Sequence, residues 1–181
     1  AVIARTFAAA ASAAVAQDAR GTKEEAVAMV NAAVAHVQKA GPERAYKDFG
    51  DAAAAEWHKK DMYVFVNRFD GMTLAHGANA KLLGKDMSTL KDQDGKLFIQ
   101  EMGVTARKDG SGWVEYSWVH PETKKLAAKA TFVRALPGSE TFVGVGTAAT
   151  IVSGIVGITL FAIGSALDNK PLKLAGVVFL G

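Results

Sequence analysis

With 181 residues, half of them hydrophobic and 22% charged, the chain has enough apolar material for one core and is too apolar for wholesale disorder. It contains no cysteine, which excludes disulfides, thiolate metal sites, c-type haem attachment and cysteine nucleophiles. The net charge is only +3, and the basic residues are scattered singly and in pairs, as at Lys59-Lys60 and Lys124-Lys125, so no concentrated basic face is offered to nucleic acid.

The first stretch, residues 1–20, is alanine-rich, with Arg5 as its only charge before Asp18. A basic residue, an apolar run and small residues at Ala14, Ala16 and Ala19 make it signal-like, or an anchor segment. Residues 21–148 read as one α+β domain. Thr22 with Glu25 is a capping box that opens a helix, and Val27, Val30, Val34 and Val37 recur at helical spacing along one face. Gly41-Pro42 ends that helix, and a shorter one covers about Glu43 to Phe49. Met62 to Val66 is aromatic and β-branched, Asp70-Gly71 is a turn, and Met72 to His76 is a second strand, which together predict a hairpin. Lys96 to Lys108 is predicted helical. Trp113–Val119 and Leu126–Val133 are strands joined by residues 120–124, and Thr141–Gly146 is the last strand. The sum is a five-stranded antiparallel sheet with a long N-terminal helix.

From Thr141 to Leu167 no residue is charged. The stretch 149–167 is long and apolar enough to span a membrane, and Gly154, Gly157 and Gly164 would permit close helix packing in lipid. Lys170 and Lys173 in the tail, residues 168–181, predict that this end is cytoplasmic and the 21–148 domain extracytoplasmic.

The order of these elements resembles a single Cache domain, a PAS-like sheet used as an extracytoplasmic sensor by chemoreceptors and sensor kinases. Tyr63-Val64-Phe65-Val66, Asp70-Gly71 and Leu74-Ala75-His76 are similar to the family's first hairpin. Leu83-Gly84-Lys85-Asp86, Lys91-Asp92 and Asp94-Gly95-Lys96 resemble its central loop. Gly112 to Trp118 with Pro121, Lys129 to Val133, and Phe142 to Gly146 resemble its later strands. Lys170 to Ala175 is similar to the start of a HAMP linker. The resemblance implies a sensing module in the inner membrane of a bacterium, with its main domain periplasmic, acting as a homodimer or within a membrane complex. Small carboxylates such as acetate, pyruvate or lactate are the ligands it implies.

Strand alternation puts Val114, Tyr116 and Trp118 on one face, and Lys129 on a face with Ala127 and Thr131. Tyr63, His76, Tyr116, Trp118 and Lys129 are the candidate binding residues: the ammonium would pair with a carboxylate, and the hydroxyls and imidazole would donate to its oxygens. His36, His58 and His120 read as surface or packing residues. No His-Glu-x-x-His, Gly-x-Ser-x-Gly or metal-ligand spacing is present, so neither an enzyme nor a cofactor or metal site is expected. Gly144-Val145-Gly146-Thr147-Ala148-Ala149 matches a dinucleotide fingerprint, but the parallel βαβ unit it requires is not predicted. The alternative to a sensor is an accessory subunit that uses the same scaffold to dock on a larger membrane complex.

Overall fold

Thr22 caps the first helix. Its side chain accepts the Glu25 N–H at 3.1 Å while the Glu25 carboxylate accepts the Thr22 N–H at 3.0 Å, so two amides that a helix start would leave orphaned are satisfied together. The computed structural model describes residues 20–119 and 126–148. All belong to the first of the chain's two units, Ala1–Ile151; the second, Val152–Gly181, lies outside them.

Helix α1 spans Lys23–Ala40 and α2 spans Pro42–Gly50, with Gly41 between them at φ 82° and Pro42 at the helix start. That backbone angle is one a side chain resists. The buried stripe of α1 is Ala26, Met29, Val30, Ala33 and Val34. The valine periodicity therefore placed the apolar face slightly off: Val27 and Val37 flank it, and Ala26 and Ala33, both fully buried, lie at its centre.

Strand β1 is His58–Lys59, β2 is Met62–Arg68 and β3 is Thr73–His76. A 3-10 turn at Ala80–Leu82 precedes α3, Phe98–Asp109. Strands β4, Ser111–Val119, β5, Leu126–Ala135, and β6, Thr141–Ala148, complete the sheet. It has six strands, not five, in the order β1-β2-β6-β5-β4, with β3 pairing to β2, and every described pairing is antiparallel. The additional strand is the two-residue β1, which lies in a polar stretch with no alternation to betray it. Helix α3 begins two residues later than the sequence suggests. Asp92 accepts the Lys96 N–H at 2.9 Å and so holds Lys96 in the preceding turn.

The sheet separates two cores. On one face Met62, Val64, Val66, Val143 and Val145 meet α1 and α2. On the other, Phe65, Val114, Val133 and Phe142 meet Phe98, Ile99, Met102 and Ala106 of α3. Helix α3 covers that second face only in part, and the remaining opening becomes the pocket. Among the described residues no helix is long and apolar enough to cross a membrane. The signal-like segment, the expected span at 149–167 with its glycines, the tail with Lys170 and Lys173, and the loop with His120 all lie outside the described residues.

Candidate functional site

Register explains which side chains meet. Directly opposed residues on neighbouring antiparallel strands project from the same face. Tyr116 opposes Lys129, and Val114 opposes Thr131; Lys129 opposes Ala148, and Thr131 opposes Gly146; Phe65 opposes both Gly144 and His76. These pairs set Tyr63, Phe65, His76, Tyr116 and Lys129 on the face that α3 half covers.

Strand β6 contributes space. A Cβ built on Gly144 would fall 2.2 Å from the Phe65 ring, and one on Gly146 would fall 2.4 Å from Lys129 Cε. The two glycines leave a trough across which Phe65 and Lys129 lie. This, and not a phosphate turn, is the use of Gly144-Val145-Gly146: both sit inside an antiparallel strand.

The cavity encloses about 40 Å³, against the roughly 10–15 Å³ that one water needs, so it suits a molecule of a few heavy atoms. Tyr63, His76, Tyr116 and Trp118 all line it. Lys129 stands behind this wall: its Nζ donates to the Tyr63 hydroxyl at 3.1 Å and lies 4.5 Å from the centre of that ring. The floor is aromatic, with Phe98 stacked on Tyr116 at 4.3 Å and 1° between planes. Trp118 meets Phe98 edge-on at 6.0 Å. Leu82, Met87, Leu90, Ile99 and Met102 supply the apolar remainder.

The polar groups are arranged as donors. The Asn79 N–H donates to His76 Nδ1 at 3.1 Å, which leaves the proton of the neutral ring on Nε2. Burial, with the Lys129 charge added, pushes the His76 pKa down to about 4, so the ring is neutral at pH 7. Burial pushes the Tyr116 phenol up and keeps it protonated; its oxygen lies 3.2 Å from Thr131 Oγ1. Burial opposes the Lys129 ammonium, but Tyr63, Tyr116 and Asp61 outweigh that and hold its pKa above the ordinary lysine value. Because Tyr63 oxygen accepts from Lys129, its own proton is available to another acceptor.

Two polar lining residues, besides the apolar ones, escaped sequence reasoning. Asn67 is 2% exposed, and its Oδ1 has no hydrogen-bond partner among the described residues; Thr73 is buried beside it on β3. The alternation Tyr63, Phe65, Asn67 was the available signal, since it puts a polar residue on the inward face of a buried strand. His36 and His58 serve packing: His36 Nε2 lies 2.9 Å from Asp48 Oδ2 with its ring against Trp57, and His58 Nε2 lies 3.0 Å from the Phe49 carbonyl oxygen. Among the described residues no group of three His, Asp or Glu side chains is placed to hold a metal.

Fold and cavity together define an α+β domain built around one small pocket between a PAS-like sheet and a covering helix. A family model described as Cache domain matches residues 20–157, and the chain belongs to that family. It is 32% identical over 74 residues to the methyl-accepting chemotaxis protein McpP of Pseudomonas putida, a match covering 41% of this chain and 14% of that protein. It is 37% identical over 87 residues to the sensor histidine kinase MctS of Rhizobium johnstonii, covering 48% of this chain and 19% of the kinase. The matches thus take in less than a fifth of either curated relative. A solved Cache chemosensory domain, described for its recognition of carboxylic acids, superposes with a TM-score of 0.56 at 21% identity, covering 81% of this chain and 98% of that one. That last likeness is one of fold.

Proposed function

We propose that this chain is the sensing part of a membrane receptor, extracytoplasmic in its 21–148 domain, and that it binds a small organic anion, a two- to four-carbon carboxylate, without transforming it. One observation carries the reading: Tyr63, Tyr116 and His76, with Asn67 and Thr73 beside them, converge on a cavity whose other walls are apolar, and the Lys129 ammonium stands directly behind Tyr63. An apolar pocket with a few convergent polar groups is the usual form of a ligand site. Every one of those groups can donate, which matches a carboxylate and mismatches a cation. The carboxylic acids recognised by the solved Cache domain of the same fold agree in chemistry. Membrane attachment through 149–167, and association as a homodimer or with a host complex, complete the reading.

Calorimetry with acetate, pyruvate and lactate tests it. Binding by at least one acid is expected, and Lys129→Ala should weaken it severalfold, because it removes the positive charge behind Tyr63 and the bond that turns the Tyr63 hydroxyl proton toward the pocket. No heat with any acid, or equal affinity in the variant, would overturn the anion site and favour a docking subunit.

A further inference from the structure

Asp61 stands where the two ends of the domain meet. Val64 opposes Val145 in the β2–β6 ladder, and three more steps of that register bring Asp61 opposite Ala148. The ladder has ended there, and the Asp61 carboxylate takes the place of a rung. Its Oδ2 accepts the Ala148 N–H at 2.7 Å and its Oδ1 accepts the Gly21 N–H at 2.6 Å. Thr147 closes the ring by donating its hydroxyl to the Gly21 carbonyl. Gly21 immediately precedes the cap of α1, and Ala148 is the last residue of β6. One side chain therefore ties together the points at which the chain enters and leaves the domain. The turn bearing Asp61 is itself fastened to α1, since Lys59 and Lys60 pair with Glu25 at 3.1 and 3.0 Å.

The same row of the sheet leads to the pocket. Ala148 opposes Lys129, and Lys129 opposes Tyr116. Opposed residues hold their Cβ atoms roughly 4.5–5.5 Å apart, so a single alanine separates the residue that clamps the chain ends from the pocket's cation. Asp61 is also among the groups that favour the charged form of Lys129.

We propose that Asp61 passes the state of the pocket to both ends of the domain: an organic anion bound in the pocket in front of Tyr63 and Lys129 loosens the Asp61 clamp on Gly21 and Ala148. This rests on the anion-site reading above. An incoming carboxylate competes with Asp61 for the field of the ammonium and brings a like charge near it. Such coupling is reciprocal. Removing the Asp61 charge therefore tightens anion binding.

The test uses the full 181-residue chain, with acetate and pyruvate as probes. Hydrogen exchange is followed at the Gly21 and Ala148 amides, and affinity by calorimetry. In the unaltered protein a bound acid should speed exchange at both amides. Asp61→Asn should bind the acid about 5-fold or more tightly, the lower end of typical couplings, and lose the ligand dependence of exchange. Equal exchange with and without bound acid, or equal or weaker binding by Asp61→Asn, would overturn the proposal. Thr147→Val keeps the charge and covers the case in which Asp61→Asn does not fold. It removes one of the two ties on Gly21, so it should loosen Gly21 and tighten binding by less than Asp61→Asn does, and an unaltered affinity would overturn the proposal equally. If neither acid binds the unaltered protein, the anion-site reading falls and takes the coupling with it. Binding without a change in exchange leaves the anion site standing and removes only the coupling.

Discussion

His76 shows how much a single residue's role depends on its surroundings. In the sequence it is one of four histidines; in the fold it stacks on Phe65, lies tilted against Tyr63 and is locked by the Asn79 amide. Its pKa is about 4 in the folded protein against an ordinary 6.5. As pH falls below 6.5 the unfolded chain takes up a proton that the folded chain refuses, so stability declines until about pH 4 and levels below it. The full difference approaches about 3 kcal/mol. Urea unfolding from about pH 7.5 down to about pH 4 should show this decline in the unaltered protein, and His76→Gln should remove that share of it. Equal pH slopes in the two proteins would mean that His76 titrates normally. Alternation along Trp113–Val119 put Tyr116 and Trp118 on one face, and both line the cavity, as do Tyr63 and His76 of the hairpin. The position of Lys129 behind Tyr63 was not legible, because a long side chain's direction is set by the space that neighbouring strands leave it, here the space over Gly146.

Strand β6 depends on its neighbours in the same way. Thr141 to Ala148 reads as a strand with two glycines, which in isolation weaken a strand. The antiparallel partners explain them: Phe65 and Lys129 occupy the space a Cβ would fill. Gly146→Ala should push Lys129 and Thr131 aside and lower affinity for the acid severalfold, with the fold retained as judged by far-UV circular dichroism. Unchanged affinity would show that the trough at Gly146 does not position the lysine. Helix α1 was legible in part. Its existence and cap followed from Thr22 and Glu25, but the choice between a valine stripe and an alanine-lined one depended on how near the sheet lies, which no periodicity encodes.

At the scale of the molecule, α1 commits its apolar stripe to the sheet, and its outward positions Glu24, Asn31 and Gln38 carry polar side chains. Asn31 accepts a hydrogen bond from Arg134 at 2.6 Å, and Lys23 pairs with Glu115 at 3.2 Å, so even the polar flank is engaged within the domain. A polar outer face provides little hydrophobic drive for pairing. The 21–148 fragment is therefore expected to sediment as a monomer or weak dimer, with stable association requiring residues 149–167. A tight dimer of the fragment would place the interface on the domain itself.

The sequence by itself determined the class of the domain, the order of its major helices and strands, and the shared face of Tyr116 and Trp118. Caps, turns and strand alternation are local, and their physics is complete within a few residues. Tertiary structure decided the rest. The two-residue β1 exists only because β2 pairs with it. The trough over Gly144 and Gly146 and the meeting of Asp61, Ala148 and Lys129 depend on strand register, and the neutral state of His76 depends on its burial beside Lys129. Register joins residues from opposite ends of the domain, Gly21 and Ala148, through a carboxylate that nothing in its neighbourhood of sequence marks as special.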